Sequence, residues 1–315
     1  MAEQAVRPEI KLPEVKMNIY SPRNPVEVPV VENRIVTRES SPNFIRHVSF
    51  DISDTKLQDN IQLGQSFGIL PPGKNEKGRP YKLRLYSLAS PYHGENGNQR
   101  IISTTVKRII EEWENEGELY LGVCSNFLCN LRPGETVKMT GPAGRRFLLP
   151  ENRNDFNYVF FATGTGIAPF RGMVYDLLKE GIESDIYLIF GTPYRTDILY
   201  EDYFRGLEEA HPNFHFMVYV SREDRRADGS KKYVQFAIDD HQEQFIPLLS
   251  QDNTLLYICG LQGMQAGIYK QLARHNLYEY LELKDSIQGK DPDEWTSKDI
   301  KRRIKPGTRT FVEVY

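Results

Sequence analysis

Residues 157–166, NYVFFATGTG, form an apolar run that ends abruptly in a glycine-rich turn. Three later stretches repeat the pattern: DIYLIFGTP at 185–193, FHFMVYVSRE at 214–223 and NTLLYICGLQG at 253–263. Runs of four to eight apolar residues bounded by turn residues read as strands buried on both faces. Helix-length amphipathic stretches lie between them, at 168–180, 201–210 and 263–275. Strand–helix alternation of this kind predicts a doubly wound α/β domain with a parallel sheet over 151–315. Upstream the texture differs. VEVPVVENRIV, FIRHVSFDI, YKLRLYS, RIISTTVKRII, ELYLGV and ETVKMTG are short β-like runs separated by PPGKNEKGRP and PYHGENGNQ. Many short strands with Gly/Pro turns predict an antiparallel β-barrel or sandwich over 26–150. Before it, Pro8, Pro13, Pro22, Pro25 and Pro29 mark residues 1–25 as an extended arm.

The 315 residues suit two domains of ordinary size. Lys plus Arg number 40 and Asp plus Glu 43, a formal charge of −3, which disfavours nucleic acid as a partner bound by bulk positive charge. Cys124, Cys129 and Cys259 are too few and odd in number for a disulfide framework, so a reducing compartment is expected. Cys124 and Cys129 have C-x₄-C spacing, but Arg132 stands where an iron–sulfur site would continue, so no metal is expected. No apolar run reaches the ~18 residues of a membrane span, and the N-terminus has no apolar signal core. The expectation is a cytoplasmic protein.

In an open parallel sheet, ligands bind beyond the carboxyl ends of the strands. That singles out Thr163–Pro169, Gly191–Pro193, Ser221–Arg222 and Cys259–Gly263. TGTG lets backbone approach a pyrophosphate. Taken alone such a strand end is more often just a tight turn, and Pro169 stands where a dinucleotide fingerprint has its third glycine. Ser221, Arg222, Lys231 and Tyr233 offer hydroxyl, guanidinium, ammonium and ring, a set suited to a phosphorylated adenosine; the alternative is a solvated loop, SREDRRADGSKK. In YKLRLYS, alternation puts Tyr81, Leu83 and Leu85 on one face and Arg84 and Tyr86 on the other. Gly122-Val123-Cys124-Ser125 opens a short helical pattern, SNFLCNL, with Ser125 as its expected N-cap.

Seven segments in order resemble the plant-type, plastid-like ferredoxin–NADP⁺ reductases. They are RLYSLAS at 84–90, GVCSNFLCNLRPGE at 122–135, GTGIAPFRG at 164–172, Ser221-Arg222-Glu223, KKYVQ at 231–235, YICGLQGM at 257–264 and VEVY at 312–315. The resemblance implies an N-terminal antiparallel β-barrel holding FAD and a C-terminal α/β domain holding NADP(H). It implies an oxidoreductase exchanging electrons between NADPH and a one-electron carrier, ferredoxin or flavodoxin, and acting as a monomer. Ser87, Cys259, Glu313 and Tyr315 would be its catalytic residues. FAD would be held by Arg84, Leu85, Tyr86, Ser87, Thr105, Lys107, Gly122, Val123, Cys124, Ser125, Thr163 and Tyr315. NADP would be held by Thr163, Gly164, Thr192, Pro193, Ser221, Arg222, Lys231, Tyr233, Gln235, Gly260, Leu261 and Glu313. The tyrosine that stacks on the FAD adenine in the family aligns near Glu111, and Trp113 is the nearest aromatic, either a replacement or a loop tryptophan. Thr105 stands where the plastid enzymes usually have Cys. Arg79, Lys82, Lys298, Lys301, Arg302, Arg303 and Lys305 are candidate cations for docking an acidic carrier. Two other readings stay open, a related flavin reductase serving another partner and a non-catalytic nucleotide-binding protein.

Overall fold

A computed structural model describes residues 7–112 and 119–315. The described chain forms two compact units, one of residues 13–149 with 168–176, the other of residues 7–12, 150–167 and 177–315.

In the first unit, strands β1 (Val26–Ile35), β2 (Ile45–Asp51), β3 (Ser66–Leu70), β4 (Arg84–Ser87), β5 (Ile101–Lys107) and β8 (Thr136–Ala143) make one antiparallel sheet in the order β4-β3-β8-β1-β2-β5. Its two end strands meet. Thr104 Oγ1 donates to Ser87 O at 2.8 Å, and Ala89 N donates to Ser103 O at 2.8 Å. That contact curls the sheet toward a barrel and covers the edges that would otherwise invite pairing. Inward-facing Val28, Val48, Phe50, Phe67, Ile69, Val106, Val137 and Met139 fill the interior. The strand β3 was not legible in QSFGIL. The expected strand 81–87 is regular only from Arg84, so Tyr81 and Leu83 lie outside the alternation. A small hairpin pairs β6 (Ile110–Glu112) with β7 (Leu119–Leu121), and helix α1 (Val123–Asn130) follows directly. Trp113 lies outside the described residues.

The second unit carries β9 (Asn157–Thr163), β10 (Ile186–Thr192), β11 (Phe214–Val220), β12 (Thr254–Gly260) and β15 (Thr310–Val314), all parallel, in the order β11-β10-β9-β12-β15. Every residue of β10 and β12 is buried, as expected of central strands covered on both faces. Helices α2 (Ala168–Lys179), α3 (Glu201–Ala210), α4 (Ala237–Asp240), α5 (Gln242–Leu249), α6 (Gln262–Arg274) and α7 (Ser297–Arg303) connect them, with a small ladder of β13 (Leu281–Leu283) and β14 (Ile304–Pro306). From β9 the chain steps outward to β10 and β11, then returns to the other side of β9 as β12. The crevice of such a sheet opens where the order reverses, between β9 and β12. No helix among the described residues is long and apolar enough to cross a membrane.

One buried group in the antiparallel unit makes its stability depend on pH. His47 on β2 is fully buried, with Ser49 Oγ at 3.1 Å, Glu95 at 3.6 Å and Glu32 at 3.9 Å. Burial lowers its imidazole to about 3, against the pull of Glu95 and with Arg171 and Arg34 adding to the lowering. Below the ordinary histidine value the unfolded chain takes up a proton that the folded chain refuses, so stability falls as pH drops from about 6.5 towards 3. The expected slope from this group is about 1.4 kcal/mol per pH unit. Urea titrations between pH 6 and 4.5 should show a shallower fall for His47→Gln than for wild type; equal slopes would remove His47 as the cause.

Candidate active site

The turns that end β9 and β12 lock together. Gly166 sits so near the end of β12 that a Cβ there would lie 2.2 Å from Cys259 O. Gly260 has φ +140°, and a Cβ on it would lie 2.3 Å from Thr163 Oγ1. Gly166 therefore needs glycine for space, and Gly260 for both space and conformation. Thr163 Oγ1 accepts from Leu261 N at 3.0 Å, tying the second turn to the first.

The last strand brings the chain end to the same place. β15 runs beside β12 with Cys259 opposite Glu313 and Gly260 opposite Val314. Tyr315 N donates to Gly260 O at 3.0 Å, and the Tyr315 hydroxyl lies 2.8 Å from Thr165 Oγ1. Tyr315 as a residue is 59% exposed, although its hydroxyl is turned onto the Thr163–Thr165 turn. Desolvation of that hydroxyl pushes the phenol up to about 12, against the opposing bond to Thr165. Cys259 is buried, and burial, helped by the Glu313 carboxylate, pushes its thiol well above the usual range. It is a neutral packing group, without the depressed pKa of a nucleophilic thiol.

A polar wall follows at the ends of β10 and β11. Ser221 N donates to Thr192 O at 2.9 Å, and Arg222 N to Pro193 O at 3.1 Å. Thr192 is buried and its hydroxyl is engaged with Asp197 O at 3.2 Å. The Arg222 guanidinium lies over the Tyr194 ring, 5.3 Å from its centroid, and Nη1 donates to the Tyr194 hydroxyl at 2.7 Å. Tyr194 was not singled out in the sequence; an aromatic two residues beyond a strand end was the available signal. Lys231 is exposed and bridges Arg225, bringing it back toward Ser221–Arg222, and Tyr233 is exposed nearby in the chain. Gln235 packs against α6, where a Cβ on Gly267 would lie 2.7 Å from Gln235 Cδ.

The antiparallel unit assembles the other set. Arg84, opposite Ile69, is exposed at the start of β4, and Leu85 beside it is exposed. Tyr86 and Ser87 are half-buried, with Tyr86 packed against the core and hydrogen-bonded to Cys124, whose thiol lies 3.9 Å from Ile69 O. Burial raises the Tyr86 phenol and the Cys124 thiol, so both are neutral. The N-cap of α1 is Gly122, not Ser125 as the sequence suggested, and it makes no side-chain cap. The Ser125 hydroxyl instead donates to Gly122 O at 3.1 Å and accepts from Ile109 N at 3.2 Å. A Cβ on Gly122 would lie 2.7 Å from Ser125 Oγ. The first-turn amides of Val123, Cys124 and Ser125 thus form a helix N-terminus without a side-chain cap, close to the Arg84 guanidinium that Cys124 senses. Amides and guanidinium fit a pyrophosphate. Thr105 is buried opposite His47, and Lys107 is exposed at the end of β5. No cluster of metal-ligating side chains occurs among the described residues.

A family model described as an oxidoreductase NAD-binding domain matches residues 160–270. The ferredoxin–NADP reductase of Spirulina sp. is 37% identical over 308 residues, covering 96% of this chain and 99% of that protein. The leaf isozyme 1, chloroplastic, of Arabidopsis thaliana is 35% identical over 308 residues, covering 96% and 80%. Among solved structures, the ferredoxin–NADP⁺ reductase of Plasmodium falciparum with 2′P-AMP superposes with TM-score 0.69 at 25% identity, covering 95% of this chain and 99% of that one.

The interlocked turns make a direct prediction. Gly166→Ala should lower the melting temperature and weaken nucleotide affinity at least tenfold, since a backbone clash at 2.2 Å cannot be relieved by side-chain rotation. Thermal melts and NADP⁺ titration check it, and a variant matching wild type in both would mean the turns are looser than described.

Proposed function

The chain belongs to the ferredoxin–NADP reductases, which exchange electrons between NADPH and ferredoxin, and from that premise we propose which of its residues do the work. The observation that carries the assignment is the meeting of Thr163, Cys259, Glu313 and Tyr315 at the reversal point of the parallel sheet.

NADP(H) lies along the carboxyl ends of that sheet. Gly164 and the following turn receive the pyrophosphate, Thr192, Pro193, Gly260 and Leu261 line its path, and Gln235 supports the wall. Ser221, Arg222 and Lys231 receive the 2′-phosphate, and Tyr233 covers the adenine. Tyr194 holds the Arg222 guanidinium in place through its hydroxyl. Cys259 and Glu313 border the nicotinamide, whose stacking position Tyr315 occupies until it swings aside.

FAD is held by the antiparallel unit and, when bound, supplies the conversion between two-electron exchange with NADPH and one-electron exchange with the carrier. Arg84 and the amides of Val123, Cys124 and Ser125 receive its pyrophosphate, with Gly122 leaving the approach open. Leu85, Thr105 and Lys107 line the cofactor, Tyr86 stacks on the isoalloxazine, and Ser87 hydrogen-bonds near N5. The carrier is an acidic protein, ferredoxin or flavodoxin, met by exposed cations such as Lys82 and Lys301. The enzyme acts as a monomer, and in the cytoplasm, the compartment being a reading that three free cysteine thiols support.

Two substitutions test the nucleotide assignment. Arg222→Ala should lower kcat/KM for NADPH about 10- to 150-fold, the loss of one charge-assisted contact, and leave NADH nearly unchanged. Equal losses with both coenzymes would contradict it. Tyr315→Ser should bind NADP⁺ more tightly, lower kcat through slower release, and narrow the NADPH-to-NADH preference. Titration with NADP⁺ and steady-state kinetics with both coenzymes check this; unchanged affinity and preference would leave the terminal ring a structural anchor.

A further inference from the structure

A buried ion pair lies in the antiparallel unit, outside the proposed cofactor contacts. Arg171, in the first turn of α2, holds both oxygens of Glu95, with Nη1 at 2.6 Å and Nη2 at 3.0 Å. Each side chain is only 10% exposed. Arg171 Nη1 also donates to Ala89 O at 3.2 Å. Glu95 accepts in addition from the Ser103 hydroxyl, and Ser103 O accepts from Ala89 N at 2.8 Å. Further along the helix, Asp176 Oδ2 accepts from Tyr92 N at 2.6 Å. Between them Gly172 lies so close to Ser90 that a Cβ would meet Ser90 O at 2.4 Å. One helix therefore fixes residues 89, 90 and 92 in succession, while Thr104 on β5 fixes Ser87 O.

Burying this pair needs a physical reason. Desolvation works against the Glu95 charge, yet Arg171, His47 and Ser103 together hold the carboxyl below its ordinary value. A buried pair of this kind gains little over apolar residues of the same volume, because desolvation offsets the attraction. What it adds is direction. The planar guanidinium fork fixes the angle at which helix and loop meet, and its remaining donor bond sets the Ala89 carbonyl.

We infer that Arg171 and Glu95 are positioning residues for Ser87, their bidentate pair setting the backbone of residues 87–92 so that the serine hydroxyl meets its partner at the correct height. The inference rests on the reading of Ser87 given above. Misplacing a reacting contact by about 1 Å costs up to a hundredfold in rate, so a pair bonded to the carbonyl of Ala89, two residues from Ser87, has ample leverage.

The test uses the FAD-loaded enzyme. Arg171→Lys keeps the charge and loses the fork; Glu95→Gln loses the charge and keeps the shape. Each should slow reduction of the bound flavin by NADPH about tenfold in single turnover, with FAD retained and NADPH KM changed less than about twofold. The apolar pair Arg171→Met with Glu95→Leu separates position from stability. It should melt near wild type and still react slowly. An apolar pair that melts near wild type and reacts at wild-type rate overturns the inference. Placing Arg171→Lys in a Ser87→Ala background should shrink its effect below about twofold; an undiminished effect also overturns it. A Ser87→Ala enzyme with wild-type rate would instead refute the reading of Ser87 itself. Backbone exchange at 87–92 then decides the positioning claim: about tenfold faster exchange in Arg171→Lys, with β1 unchanged, supports it, and unchanged exchange at 87–92 overturns it.

Discussion

The contact on which the site depends is backbone against backbone. The turn after β9 and the turn after β12 approach so closely that neither Gly166 nor Gly260 has room for a side chain. Two strand ends held this way share one crevice, with the Thr163 hydroxyl bridging to Leu261 N. The third strand, β15, is registered on β12, so its last residue is delivered to the crevice by the same ladder. Tyr315 is held there through one amide hydrogen bond to Gly260 and one hydroxyl contact to Thr165. The chemistry of the neighbours matches. Cys259 is neutral and buried, so it shapes the crevice without reacting there.

The parallel half of the fold was largely legible in the sequence. Strands buried on both faces read as continuous apolar runs, and each of the four quoted runs became a strand ending within a residue or two of its glycine or polar stop. The antiparallel half was less so, because short strands carry a weak signal. β3 is five residues long with Gly68 at its centre, and it fell between turn clusters. Ser125 does not cap α1 because it uses its hydroxyl on Ile109 N and Gly122 O, leaving the cap position to a glycine. Alternation placed Arg84 and Leu85 on opposite faces of β4, yet both are exposed, since a four-residue strand at the end of the sheet is covered on neither side there.

Sequence alone also hid the contacts that join distant positions. Arg171 and Glu95 are 76 residues apart, and charged residues within GTGIAPFRG and PYHGENGNQ look like surface. Only the folded chain removes them from water. Tyr194 was missed for the same reason: its partner Arg222 lies 28 residues on and reaches it across two strand ends. Residues that touch a ligand are named by motif; residues that hold those in place are named by geometry.

The central claim is that this chain moves electrons from NADPH to ferredoxin through its own FAD. The most direct measurement is anaerobic stopped-flow mixing of the FAD-loaded protein with NADPH, and with NADPH deuterated at the transferred position, followed by ferredoxin turnover under the same conditions. The account predicts bleaching of the oxidised-flavin absorption at a rate at least equal to steady-state turnover, with slower bleaching for the deuterated coenzyme. Turnover that outruns bleaching, or a flavin that NADPH leaves oxidised, would contradict it.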